Sequence, residues 1–364
     1  MTILFRSTVR TVGLAATAAL VAGSVSGGAL AQQTINVSIG DGYPPRALQV
    51  KTLVEFFIPE VDKRLKAGGN KYKVRWNQAW GGQIAKVQHV LPGVQKGLLD
   101  IGVVTSVFHQ DKVPMQQLPY LVPFISGDAV LVSRTMDEMA AKFPQMQAAW
   151  SKYNQILLTS FSVIDDYQLF FKTPVKDVAG FAGKKISGAG INMRYLAGTG
   201  STPVLGTMVN YYNMLKTGVV DGTMLWTEAA VTFKLVEVAP YMLKADIGTA
   251  TSKALTANAD FWKRLPEDVR KVIKDVSGEY RDFTAKRAMD IAAKSFAEFK
   301  KRGGKVIDIG KAERERWAKS MPNIAKEWAA KADKEGQPGT AMVKAYMDAM
   351  RAAKQPIMRA WDKE

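Results

Sequence analysis

His89 and His109 are the only imidazoles in a chain of 364 residues that contains no cysteine. Thiol catalysis and thiolate metal sites are therefore ruled out, and neither histidine begins a recognisable metal motif. A serine–histidine arrangement stays open, but no G-x-S-x-G elbow is present. Asp41, Asp165, Asp166 and Glu228 are carboxylates that could act as acid or base, yet no spacing pairs them. The residues fit holding a molecule better than converting one. Arg46 and Arg194 carry the planar guanidinium that grips a carboxylate with two hydrogen bonds. Tyr43, Trp80, Phe108 and Trp226 could wall a cleft, with Gln83 adding a polar group. Aromatic residues default to core packing. Four of them in loop positions favour a ring-containing or bulky ligand over a small, highly charged one.

These residues earn their place from the elements around them. Residues 34–39 alternate apolar and polar as a strand does, and 72–78 and 100–104 read as two more. Helices are expected over 46–67, with Val50, Val54, Phe57, Val61 and Leu65 on one stripe, and over 83–98, with Ile84, Val87, Leu91, Val94 and Leu98. Pro59 should kink or restart the first. This alternation predicts an α/β fold of mostly parallel sheets flanked by helices. Further strands are expected at 155–161, 167–172, 184–187, 220–225 and 303–309, with a helix over 208–217. From residue 260 the chain turns nearly all helical, with Val269, Ile273, Val276, Tyr280 and Phe283 on one stripe and Trp317, Met321, Ile324 and Trp328 on another. Open α/β sheets bind ligands beyond the carboxyl ends of their strands. Asp41, Tyr43 and Arg46 follow the first strand, Trp80 and Gln83 the second, and Thr105, Phe108 and His109 the third. Ser187 and Thr223 to Trp226 hold the matching positions later in the chain.

The N-terminus reads as a cleavable signal peptide over residues 1–31. Arg6 and Arg10 precede the apolar stretch Val12 to Val25, and Ala29-Leu30-Ala31 supplies small residues for cleavage. An exported, periplasmic protein is expected. The formal charge is +17, which in an exported chain with scattered lysines points away from nucleic acid and towards an anionic solute. Gly188-Ala189-Gly190 invites a dinucleotide reading, but Met193 stands where the third glycine belongs.

Six segments in order carry a family resemblance: Gly82-Gln83; VQKGLLDIGVV, with Gly97 to Asp100; Leu118 to Phe124; Val175 to Ile186; Asn210 to Gly222; and Phe261 to Ile273. With them the chain resembles the dicarboxylate-binding type of solute receptor of tripartite ATP-independent periplasmic (TRAP) transporters. The resemblance implies a two-lobed binding protein that closes on a small organic acid and hands it to small and large permease subunits driven by an ion gradient. It implies no catalysis and no cofactor. The expected layout is lobe I over 32–165 plus about 253–292, and lobe II with the C-terminal helices over 166–252 plus about 293–364. The family also commonly places an aromatic at the position of Tyr212.

Two departures stand out against that family. Its carboxylate-clamping arginine at the end of the KKI strand is Ser187 here, and its asparagine after Val-Asp-Gly is Leu225. A buried carboxylate needs compensating donors, so Arg194 and Arg46 are the candidate substitutes. Two other readings share the scaffold: a binding protein of an ATP-driven or sensor system, and a periplasmic enzyme.

Overall fold

A computed structural model of the chain describes residues 32–364; the expected signal peptide lies outside them. The strands are β1 (Gln33–Gly40), β2 (Tyr72–Ala79), β3 (Ile101–Thr105), β4 (Gln155–Phe161), β5 (Gln168–Phe171), β6 (Lys185–Gly188), β7 (Thr202–Leu205), β8 (Gly222–Leu225), β9 (Tyr241–Lys244), β10 (Lys253–Asn258) and β11 (Lys305–Asp308). They form two mixed sheets, ordered β2-β1-β3-β10-β4 and β11-β9-β5-β8-β6-β7. Each sheet is the floor of one lobe.

The chain crosses between the sheets from β4 to β5, returns from β9 to β10 and crosses again from β10 to β11. The strands entered by the first two crossings run antiparallel to the neighbours they join, β10 to β3 and β4, and β5 to β8 and β9, whereas β11 is parallel to β9. The start of an antiparallel strand lies beside the carboxyl end of its neighbour. Lys253 therefore pairs with Thr105, the last residue of β3, and Gln168 pairs with Leu225, the last residue of β8. Both crossings thus deliver side chains to the carboxyl-end rim, where a ligand is expected.

The helix Glu267–Lys301 ties the lobes together. At 35 residues and 1.5 Å per residue it is roughly 50 Å long. Near its middle, Tyr280 donates to the Gln49 carbonyl at 2.8 Å, and Phe283 stacks on Phe56 with ring centres 4.5 Å apart. Towards its end, Phe299 meets Phe170 of β5 edge-on at 5.5 Å. The expected apolar stripe is buried from Val269 to Tyr280, and Phe283 lies at the surface against its partner ring.

Some local expectations are corrected. The helix expected over 83–98 is a short turn, Val87–His89, and a helix, Val90–Gln95. Gly81 and Gly82 hold φ of 69° and 83°, which helical backbone cannot use, and Ile84 and Leu98 are exposed. The helix expected over 208–217 is confined to Tyr211–Lys216. In the first helical run a π-helical turn, Leu53–Phe57, sits immediately before Pro59. A proline ring crowds the carbonyl four residues earlier, and a wider turn relieves that. Val54 on this run is exposed rather than part of the buried stripe. Val219 is exposed as well, so the buried strand begins after it, at Gly222. A Cβ at Gly222 would sit 2.4 Å from the Phe171 ring, and Asp221 Oδ2 accepts from the Lys185 amide at 2.8 Å. The Val-Asp-Gly segment is thus a structural joint between β6, β8 and β5.

Candidate functional site

The carboxyl-end rims of the two sheets meet around a cavity of about 20 Å³, room for about one water. Lobe I contributes Tyr43, Thr105, Phe108 and Tyr120, and Lys253 from the returning crossing. Lobe II contributes Asn192, Tyr211, Leu225 and Trp226, and Tyr167 from the outgoing crossing. Six of these ten walls are aromatic. Tyr43, Tyr120, Tyr167, Tyr211 and Trp226 are buried, and Phe108 is half-buried.

The rings are held by contacts both within and between lobes. Tyr120 and Tyr167 share a hydroxyl–hydroxyl hydrogen bond of 3.1 Å. Tyr195 donates to the Tyr120 carbonyl at 2.7 Å. Trp226 meets Tyr167 edge-on at 6.0 Å, and its Nε1 donates to Glu228 at 3.2 Å. Burial pushes the Tyr167 phenol up to about 12, so at neutral pH it keeps its proton and can still donate.

A tight backbone approach between lobes lies beside the cavity. Gly190 has φ of 56°, and a Cβ there would fall 1.9 Å from the Val107 carbonyl oxygen. The glycine-rich turn after β6 therefore serves contact between lobes.

One cation reaches the cavity walls. Lys253 is only 2% exposed. Its Nζ donates to Thr105 Oγ1 at 2.9 Å and rides 4.1 Å over the Tyr43 ring. Burial pulls its ammonium down to about 8, with Asp41 opposing the shift. Asp41 is itself buried, and that raises its carboxyl despite Lys253 and the donors Tyr43, Gln49 and Gly42. Of these, the Tyr43 amide and Gln49 Nε2 lie 3.1 and 3.0 Å away.

Three of the nine residues expected from sequence line the cavity: Tyr43, Phe108 and Trp226. The other six stand elsewhere. Arg46 is exposed, its guanidinium 4.8 Å above the Phe233 ring. Trp80 donates to Gln78 at 3.2 Å on the outer side of the rim, and Gln83 is exposed. Ser187 is fully buried within its sheet, its Oγ donating to the Gly222 carbonyl at 3.3 Å. Arg194 is ion-paired with Glu327 on the C-terminal helices. Tyr212 donates to Glu237 at 2.9 Å, while its neighbour Tyr211 faces the cavity. The residues that sequence reasoning missed are Tyr120, Tyr167, Asn192, Tyr211, Ser252 and Lys253. The available signal was a lone lysine opening the small and apolar segment KALTAN, whose residues are all buried.

His109, expected at this rim, is buried beside it with Nε2 unpartnered. Burial, followed by Lys112, lowers it to about 4, so it is neutral at pH 7. Among the described residues no group of three His, Asp or Glu side chains could hold a metal, and no helix is long and apolar enough to cross a membrane.

The chain is 22% identical to a solute-binding protein of Albidiferax ferrireducens over 283 residues, 77% of this chain and 81% of that one. Its fold matches a TRAP solute-binding protein of Rhodoferax ferrireducens T118, solved with copurified benzoate. The TM-score is 0.76 at 16% identity, covering 88% of this chain and 98% of that one. It also matches an extracytoplasmic solute receptor of Bordetella pertussis that binds pyroglutamic acid, with a TM-score of 0.72 at 18% identity, covering 87% and 99%. The model of the bacterial extracellular solute-binding proteins, family 7, matches residues 47–332, and the chain, with its two mixed sheets closing on one aromatic cavity, belongs to that family.

Proposed function

We propose that this protein is an extracytoplasmic receptor that captures a small organic acid between its lobes and delivers it to a TRAP permease. The observation that carries the reading is the cavity itself: it is buried, aromatic, and walled by both sheets at their carboxyl-end rims. A solute that touches both lobes binds the closed form better than the open one, and this difference drives closure. The cavity as it stands admits about one water, so a larger solute enters only when the lobes part. The crossings Ser162–Tyr167 and Ala245–Ser252 are where that hinge would turn. The lobes would run over 32–165 with about 253–292, and over 166–252 with about 293–364. The two sheets support that division, each drawing its strands from one set. Release from residues 1–31 into the periplasm completes the reading. Catalysis has no part in it.

The aromatic walls favour a ring-bearing acid, and the benzoate found in the Rhodoferax relative agrees with that chemistry. A thermal-shift screen over aromatic, cyclic and straight-chain acids tests the reading. A ligand at a hundred times its Kd stabilises by about 2.7 kcal/mol, a rise of a few degrees in Tm. If neutral sugars or amines shift Tm while no acid does, the organic-acid reading fails.

A further inference from the structure

The cavity holds a buried cation with no carboxylate in ion-pair contact, Asp41 acting on it from farther off. A lysine ammonium has three N–H donors, and the one hydrogen bond of Lys253 goes to a neutral hydroxyl, Thr105. None of the ion pairs among the described residues includes it. Leaving a charge buried and unpaired is costly, and the cost is recovered when an anion arrives. Two neutral groups beside it make no hydrogen bond of good geometry, although Asn192 lies near the Tyr167 hydroxyl and Ser252 near that of Tyr120. Asn192 Nδ2, on a fully buried side chain of lobe II, has no hydrogen-bond partner, although Oδ1 of the same amide accepts from the Ala189 amide at 2.8 Å. Ser252 Oγ, adjacent to Lys253, is buried and unpartnered as well. All three side chains line the same cavity.

The usual family clamp cannot operate here. Ser187 is turned into its sheet, and Arg194 and Arg46 are engaged elsewhere. We propose that Lys253 is the group that takes the solute's carboxylate, with Ser252 Oγ and Asn192 Nδ2 completing its hydrogen bonds, and that the site selects monocarboxylates. The clamp has moved from lobe II to lobe I, carried there by the antiparallel entry of β10. Asn192 reaches the same carboxylate from the other lobe, so the bound anion itself links the two. Selection for a single carboxylate follows from the charges. The rest of the lining, including Val107, Met208, Met224 and Leu225, has no second cation, and Asp41 sits close enough to act on Lys253. A second carboxylate would meet apolar walls and a neighbouring carboxyl group.

This inference rests on the receptor reading, and calorimetry separates the two. Wild type, Lys253→Met and Ser252→Ala are titrated with benzoate, pyroglutamate, benzamide and succinate at pH 7. Wild type is expected to bind a monocarboxylate at least tenfold more tightly than benzamide or succinate. Lys253→Met should lose at least about a hundredfold of that affinity and no longer distinguish benzoate from benzamide. Its melting temperature should match wild type or exceed it, since a buried unpaired charge is gone. Ser252→Ala, a small change that leaves the fold intact, should lose about three- to tenfold. Wild-type affinity should fall about fivefold from pH 8 to pH 9 as the ammonium deprotonates, and that of Lys253→Met should stay flat. Undiminished binding by Lys253→Met, or succinate binding as tightly as the monocarboxylates, overturns the clamp while leaving the receptor intact. Failure of wild type to bind any acid overturns both.

Discussion

Gly190→Ala is the sharpest test of closure, because the structure sets both its site and its size. The new methyl carbon would lie 1.9 Å from the Val107 oxygen, 2.8 Å from its carbonyl carbon and 2.8 Å from its Cγ2. Uncharged atoms settle at about 3.5 Å, so the turn after β6 and the segment after β3 must separate by more than about 1 Å. Two costs follow. A positive φ of 56° costs alanine about 1–2 kcal/mol whether or not the lobes are closed. The clash exists only where Gly190 meets Val107, and overpacking of this kind costs about 1–3 kcal/mol. That second cost falls on the closed form alone. Solute affinity should therefore drop roughly 5- to 150-fold, while the solute-free protein loses only a few degrees of Tm. Calorimetry with the best acid from the screen measures the first, and small-angle scattering at saturating solute should show a more open particle than wild type. If Gly190→Ala lowers Tm but binds within twofold of wild type, the Gly190–Val107 approach does not belong to the bound state.

Arg194→Ala should leave affinity within twofold, because the guanidinium pairs with Glu327 and both side chains are about half exposed, at 41% and 54%. Its cost in stability should be within about 1 kcal/mol; a tenfold loss of affinity would return Arg194 to the site. Burial, reinforced by Glu228 and Asp246, raises the Asp165 carboxyl to about 7 against backbone donors, and its Oδ1 has no partner. The folded chain thus keeps a proton that the unfolded chain releases near pH 4, so this group's contribution to stability falls as pH rises from about 4 to 7 and stays low above. Asp165→Asn should raise Tm by a few degrees at pH 8 and by nothing near pH 4; equal shifts at both would show that the carboxyl does not titrate this way.

How far the sequence reached varies by element, and the reasons are physical. Period-two alternation in TINVSI and the apolar stripe from Val269 to Tyr280 mark surfaces with one buried side, and those segments became β1 and the helix that joins the lobes. The helix expected over 83–98 failed where apolar spacing alone was followed, since the left-handed glycines Gly81 and Gly82 and the backbone at Lys86, extended at ψ 163°, decide where helix can start. β7, β9 and β10 were not expected at all. TPVL, YMLK and KALTAN show no clean alternation of apolar and polar residues.

The same limit governed the site. The absence of thiol chemistry and an α/β scaffold of two lobes were determined by the sequence, because each depends on residue type or local order. Tyr43, Phe108 and Trp226, which line the cavity, were expected there because each follows a strand whose direction could be inferred. Ser252 and Tyr167 precede their strands and Lys253 opens one, so the same rule passed over them. Only the tertiary fold, by running β5 and β10 antiparallel into each sheet, turns the start of a strand into the rim of the cavity. It also decided the pairing of Arg194 with Glu327, since that contact joins residues 133 apart in sequence, a distance over which no local pattern carries information.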